Sequence, residues 1–240
     1  MKVLILGHNG MLGHMVHKYF SKHTECVTLD VRWPSQEFKD AVKESDADLL
    51  INCIGAIPQR TKDFTVNTEL PIWLDQNFNG NIIHPGTDCE MDDDEYGISK
   101  NVAAMWLKQN TSRTKIIKTS IIGPELNGSA SLLYWFLSNP DDSSTRGYTN
   151  HMWNGNTTYA WAEFALKMAK NFHDYKTETI IATKCRSKYD LLNIINDVYN
   201  REIVINAFET PTPALKCLTA TIEMEDIDVQ LTKMRKFYEN

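Results

Sequence analysis

Lys2-Val-Leu-Ile-Leu-Gly7-His-Asn-Gly10-Met-Leu-Gly13 begins with an apolar run, continues with glycines spaced G-x-x-G-x-x-G, and leads into a helical pattern. The apolar run reads as a strand buried on both faces. Glycine at these spacings lets the chain turn sharply, brings backbone close to a pyrophosphate, and lets the next helix pack tightly on the strand. That helix would offer free N–H groups and a partial positive charge to phosphates. The stretch therefore predicts a strand-turn-helix unit that binds a dinucleotide along Gly7, Asn9, Gly10, Met11, Leu12 and Gly13.

Downstream, apolar runs alternate with amphipathic stretches, the pattern of parallel strands joined by crossover helices. Strands are expected at Val3–Leu6, Cys26–Leu29, Leu49–Cys53, Asn81–His84 and Lys115–Lys118, with helices at Met11–Phe20, Gln36–Lys43, Asn67–Asn77 and Tyr96–Gln109. This predicts an α/β chain: a Rossmann-type doubly wound parallel sheet over 1–125, with ligands beyond the carboxyl ends of the strands. A smaller C-terminal α/β substrate-binding portion is expected over 126–240, interleaved with the last sheet strands. Helices are expected there at Thr157–Phe172 and Ser187–Asn200, the second capped by Ser187. Asp30, at the end of the second strand, stands where a ribose-binding acid belongs and would favour NAD(H). Arg32 could instead accept the 2'-phosphate of NADP(H), so both cofactors stay open.

In Asp94-Glu-Tyr96-Gly-Ile-Ser-Lys100, the tyrosine and lysine are four residues apart at the start of a helix and share one face. A free tyrosine has a pKa of about 10, and a neighbouring ammonium is expected to lower it, so that Tyr96 can exchange a proton with a carbonyl oxygen as hydride is transferred. Thr87, just after the fourth strand, supplies a hydroxyl that can orient the reacting carbonyl. The acidic run Glu90, Asp92, Asp93, Asp94, Glu95 between them reads as helix-dipole and solvating charge, which would also oppose phenolate formation.

Composition narrows the functional classes. A net charge of -6 with scattered Lys and Arg gives no basic surface for nucleic acid. The apolar runs fall far short of the roughly 20 residues that span a bilayer. Met1–Leu6 passes straight into the glycine loop without a basic leader, so no secretory signal is expected. Five cysteines, odd in number and without a CxxC pair, suggest a reducing compartment, and the expected location is cytoplasmic. His8, His14 and His17 read as solvated loop and helix-face residues, and no metal is expected.

Several segments together resemble the extended short-chain dehydrogenase/reductases, and among them the dTDP-4-dehydrorhamnose reductases. They are Ile5-Leu-Gly-His-Asn-Gly-Met-Leu-Gly13, Ile51-Asn-Cys-Ile-Gly-Ala56, Val66-Asn-Thr-Glu-Leu-Pro71, Thr87-Asp-Cys89, Tyr96-Gly-Ile-Ser-Lys100 and Lys118-Thr-Ser-Ile-Ile-Gly-Pro-Glu-Leu126. Leu132–Ser138, Gly147–Asn150 and Ser187–Leu192 continue the match. The resemblance implies a catalytic Thr87, Tyr96 and Lys100, with Lys100 also touching the nicotinamide ribose. It implies Cys53, Ile54, Gly55 and Asn67 along the cofactor, and Asp88, Cys89, Asn150 and Trp153 toward the substrate. The implied activity is NAD(P)H-dependent reduction of a nucleotide-linked 4-keto-deoxysugar in glycan precursor synthesis. Epimerase or dehydratase chemistry is the nearest alternative, and a catalytically weak NAD(P)-binding partner subunit is another. A homodimer is compatible with the resemblance. One departure stands out: only eight residues separate Thr87 from Tyr96, where family members carry more. At about 3.3 Å per residue they still span more than roughly 20 Å, so the two hydroxyls can meet.

Overall fold

The computed structural model describes residues 1–111 and 113–239. Asn240, the last residue of the expected C-terminal portion, lies outside the described residues. In chain order the first half contains β1 (Lys2–Leu6), α1 (Met11–Phe20), β2 (Glu25–Thr28), α2 (Gln36–Lys43), β3 (Leu49–Asn52), α3 (Thr65–Asn77) and β4 (Asn81–Gly86). A 3-10 helix at Asp88–Met91 precedes α4 (Glu95–Asn110) and β5 (Thr114–Lys118). Then follow β6 (Ile121–Ile122), α5 (Leu132–Leu137), β7 (Ser144–Tyr148), β8 (His151–Trp153), β9 (Asn156–Thr157), α6 (Thr158–Lys170) and β10 (Glu178–Ala182). The chain continues through β11 (Arg186–Ser187), α7 (Lys188–Val198), β12 (Val204–Phe208), β13 (Ala214–Lys216), β14 (Ile222–Glu223) and α8 (Ile227–Glu239). Every expected element of the first half is present, with bounds within about two residues.

The central sheet has seven strands in the order β14-β10-β5-β4-β3-β1-β2. The pairings among β1 to β5 are all parallel, with Val3 opposite both Cys26 and Leu49, and Gly86 opposite Lys118. This is the α/β, Rossmann-type architecture that the alternation of elements predicts. Because β1 lies between β2 and β3, the β1-to-β2 and β2-to-β3 connections run in opposite directions across the sheet, and the crevice for a ligand opens at the carboxyl ends of β1 and β3. Leu4, Leu6, Leu50 and Ile82 pack with Phe38 and Val42 of α2 and Leu70 and Leu74 of α3 in one buried cluster. Together these side chains remove a large apolar area from water, each fully buried one contributing on the order of 2 kcal/mol.

The chain divides into two compact units, Met1–Lys118 with Ala162–Thr179, and Thr119–Trp161 with Ile180–Asn240. Within the second, β8 pairs with β11 and β13, and β7 with β12. Ser187 caps α7 by accepting from the Asp190 N–H, as its place before the apolar periodicity predicts. Asn156 and Gln230, both buried, bond to each other at 2.9 Å, and Gln230 also accepts from the Thr157 N–H. The cysteines depart from expectation: Cys185 and Cys217, 32 residues apart, form a disulfide in this unit, while Cys26, Cys53 and Cys89 are thiols. Spacing carries no signal for that pair, because the two meet only through the folding of the segments around β11 and β13. No helix among the described residues is long and apolar enough to cross a membrane.

Candidate active site

The glycine turn is held by two close approaches. Gly7 has φ +74, and a Cβ there would lie 2.9 Å from the carbonyl carbon and oxygen of Cys53, at the end of β3. A Cβ on Gly13 would lie 2.0 Å from the Gly7 carbonyl oxygen, so α1 can pack against the turn only with glycine at this position. The Gly10 N–H donates to the Gly7 carbonyl at 2.9 Å, and Gly10 is the N-cap of α1 with no side-chain cap. The first N–H groups of α1 are therefore presented at the β1–β3 crevice, a cradle suited to a pyrophosphate. Around it, Leu12 is buried, Met11 is half-buried and Asn9 is exposed.

Asp30 is exposed, with Oδ1 3.4 Å from His8 Nε2, and Arg32 is also exposed. The histidines correct the reading of them as solvated. His14 is buried and its Nδ1 lies 2.9 Å from the Gly10 carbonyl, while the His17 ring meets the His8 ring edge-on at 6.1 Å. Burial lowers the pKa of both His14 and His17. On the other side of the crevice, the Cys53 N–H donates to the Leu6 carbonyl, and burial pushes the Cys53 thiol up. Ile54 N–H donates to Asn52 Oδ1, and Gly55 is exposed. Asn67 braces this loop: its Oδ1 accepts from Ala56 N–H at 2.8 Å, and its Nδ2 donates to the Ala56 carbonyl at 3.0 Å and to Ser99 Oγ at 3.2 Å. It thus ties the β3 loop to α4.

Asp94 starts α4 by accepting from Gly97 N–H at 2.7 Å, which sets Tyr96 and Lys100 in the first turns. The Tyr96 ring is packed edge-on by Phe64 at 5.7 Å between centroids, and its hydroxyl is near enough to the Thr87 side chain for that hydroxyl to lower its pKa. Thr87 Oγ1 accepts from Cys89 N–H at 3.2 Å and donates to Asp88 Oδ1 at 3.1 Å, and the Cys89 thiol points at the same Asp88 oxygen, 3.6 Å away. Lys100 is buried and donates to the Pro85 carbonyl at 3.0 Å. Burial pulls its pKa down to about 8, against the carboxylate of Glu90, which raises it. The expected lowering of the tyrosine is not observed. Burial first, then the neighbouring Cys89, push Tyr96 up to about 12, with Asp88 and Glu90 adding to the rise and the Thr87 hydroxyl opposing it. The Lys100 ammonium spends its charge on a backbone carbonyl instead.

Four further residues build the site without standing out in the sequence. Glu90, read there as solvating charge, is buried: its Oε1 accepts the Thr87 N–H at 3.0 Å, and its Oε2 accepts Lys118 Nζ at 2.6 Å. It completes a capping box with Thr87, a pattern visible as Thr-x-x-Glu once the turn is known. His84, buried in β4, has Nδ1 3.2 Å from Asn52 Nδ2. Burial and the Lys100 charge hold it well below 6.5, so it is neutral. Gly97 is the point where the 3-10 helix crosses α4, since a Cβ there would lie 2.4 Å from the Cys89 carbonyl oxygen.

Asn150 and Trp153 belong to the second unit. Asn150 Nδ2 donates to the Thr210 carbonyl at 2.7 Å and its Oδ1 accepts the Thr210 N–H at 3.2 Å. Trp153 is buried, with Lys188 Nζ 5.4 Å from its ring centroid. Both side chains secure the unit that contains them.

No protein-family model matches the sequence, and no curated protein matches it. Solved structures do match along the whole chain. A dTDP-4-dehydrorhamnose reductase from Bacillus anthracis in complex with NADP superposes with a TM-score of 0.82 at 14% identity, covering 100% of this chain and 99% of that one. A dTDP-4-dehydrorhamnose reductase from Clostridium acetobutylicum gives 0.77 at 17% identity, with 100% of both chains covered. A GDP-mannoheptose C4 reductase from Campylobacter jejuni with NADP bound gives 0.69 at 13% identity, covering 100% and 98%. The chain shares its fold with these nucleotide-sugar reductases.

Proposed function

We propose that this protein is an NAD(P)-dependent reductase that acts on the keto group of a nucleotide-linked sugar, the 4-keto-deoxysugar class used in glycan precursor synthesis. The observation that carries this reading is the gathering of Thr87, Tyr96 and the buried Lys100, bonded to the Pro85 carbonyl, at the end of β4 in the same compact unit as the glycine turn. Its support from outside the chain is the fold shared with NADP-bound reductases of such sugars. The residues fit a dinucleotide: Gly7, Gly10 and Gly13 leave the room, α1 presents its N–H groups, and Asp30 and Arg32 are available to the adenosine ribose and its 2' substituent. Bound there, the nicotinamide would supply hydride to the carbonyl carbon.

The chain's own residues account for the proton. A phenol raised to about 12 stays protonated at neutral pH, which is the state a reductase needs for its acid. Tyr96 gives that proton to the carbonyl oxygen as negative charge develops there, and the neighbouring Thr87 hydroxyl holds the same oxygen in line. Lys100 sets a positive charge on the Pro85 carbonyl at the end of β4, where it can meet the ribose hydroxyls of a bound dinucleotide. Asp88 is occupied by the Thr87 hydroxyl and the Cys89 thiol, and this engagement favours a simple reductase over a dehydratase, which needs a free acid-base pair there. The test is oxidation of NADPH or NADH with a panel of nucleotide-4-keto-sugars, wild type against Tyr96→Phe. A fall in kcat of about 100-fold to 10,000-fold with dinucleotide affinity kept supports the reading. Dinucleotide binding without turnover on any sugar removes it in favour of a partner subunit.

A further inference from the structure

Ile203 and Ile227 of the second unit are buried, and every residue between them, Val204 to Asp226, is half-buried or exposed. This strap therefore inserts no side chain into the core, and Leu215 in its middle is 75% exposed. Short strand pairings hold it, β12 on β7, β13 on β8 and β14 on β10. Two asparagines add to them: Asn150 bonds to Thr210, and the buried Asn154 donates to the Leu218 carbonyl at 2.8 Å and accepts the Leu218 N–H at 2.9 Å. A segment with few buried apolar contacts opens at low cost. Its cross-link to the rest of the unit is the Cys185–Cys217 bond. β11 and β13 are the two edges of the three-stranded sheet around β8, and Arg186 and Lys216 both stand opposite Trp153. The bonded cysteines come one residue beyond that row, where the edges converge to a Cα–Cα distance of 5.8 Å.

We propose that Cys185–Cys217 is a reversible thiol–disulfide switch, opened by a dithiol reductant, that latches the 204–226 strap onto β8. Cys185 is exposed, which leaves its side of the bond open to an attacking thiolate. Lys184 and Arg186 flank Cys185 and Lys216 precedes Cys217, so positive charge stands next to both cysteines in the chain and favours the thiolates that exchange produces. Of these cations Arg186 is partly neutralised, by Asp226 at 3.2 Å. Exposed disulfides belong to the labile, regulatory class, whereas structural ones resist thiol reductants. In the opening step one thiolate of the reductant attacks the Cys185 sulfur, and Cys217 leaves as a thiolate and takes a proton. The second thiol of the reductant then displaces Cys185, so that two electrons and two protons pass to the protein and the reductant ends as a disulfide. β13 is left with the pairing of Ala214, Leu215 and Lys216 on β8, and its side chains hold no core position that would keep it there. The switch goes beyond the proposed reductase activity and stands without it.

The test is hydrogen exchange read by peptide mass spectrometry on the full native chain, before and after dithiothreitol, with alkylation to locate the opened thiols. Reduction should expose Cys185 and Cys217 to alkylation without denaturant. Peptides covering 204–226 should then exchange at least about tenfold faster, a larger gain than in α7 and α8 of the same unit. Glutathione disulfide, which takes the two electrons back, should restore both the bond and the protection. Cys185→Ser should exchange as the reduced wild type does whether or not reductant is present, and the reduced wild type itself serves should that variant fail to fold. A bond that opens only in denaturant overturns the proposal. So does opening that leaves the strap's exchange unchanged, or that speeds exchange equally throughout the second unit, as loss of an ordinary structural staple would. A chain that reduces no keto sugar in either redox state defeats the functional reading, while exchange and alkylation still decide the switch.

Discussion

Lys100 directs its ammonium at the carbonyl of Pro85, 3.0 Å away, from a position almost sealed from solvent. That placement lowers its pKa from 10.5 to about 8, so the folded state holds this proton less tightly than the unfolded chain does. Stability should therefore rise as pH increases from about 8 to 10.5, the window in which only the unfolded chain keeps the proton. Lys100→Met should abolish that rise, stabilise the protein at neutral pH by about 1 to 3 kcal/mol, and eliminate reductase turnover. Urea denaturation at several pH values, with the kinetic assay alongside, checks all three outcomes.

Gly13→Ala places a methyl group against the Gly7 carbonyl oxygen, where ideal geometry leaves 2.0 Å. Backbone lies on both sides of the contact, so relief must come from moving α1 off the turn. We expect dinucleotide affinity to fall at least about tenfold and stability to drop by about 1 to 3 kcal/mol. Fluorescence titration with NADPH and thermal melting measure the two effects, and affinity equal to wild type would separate the glycine turn from cofactor binding.

His84 is buried, neutral and held well below its free pKa. In the unfolded chain it gains a proton below about pH 6.5, which the folded state does not accept, so stability should decline as pH falls through that value, by up to about 1.4 kcal/mol per pH unit. His84→Gln retains a group able to accept from Asn52 and should flatten the decline. The comparison is the free energy of unfolding at about pH 7.5 and 5.5 for each protein.

The Cys185–Cys217 bond closes a loop across a separation of 32 residues. Chain-entropy arguments assign about 3 to 4 kcal/mol to a closure of this length. A dithiol reductant, or Cys185→Ser, should lower the melting temperature of the second unit's transition. An unchanged melting profile under reduction would show that the bond contributes nothing to stability.

The local chemistry of the site could be read from the sequence in proportion to how local it is. The glycine turn is specified by neighbouring residues, so its conformation follows from spacing alone. Tyr96 and Lys100 share a helical face, and Asp94 caps that helix from two residues before Tyr96. Thr87 and Tyr96 are joined by a short connection that keeps them within reach. His84, Glu90 with Lys118, and the Asn67 brace depend instead on which strand lies beside which. Glu90 shows the limit most plainly: within an acidic run it resembles its exposed neighbours, and only the 3-10 helix turns it inward toward β5.

From the sequence alone came the order of strands and helices, the dinucleotide turn and the Tyr-x-x-x-Lys spacing, because hydrophobic period and glycine placement act over a few residues. Tertiary structure decided which charges are buried together, in which direction the Tyr96 pKa moves, and which two cysteines meet. These depend on dielectric environment and on distances between segments remote in the chain, and no residue's neighbours in sequence carry that information.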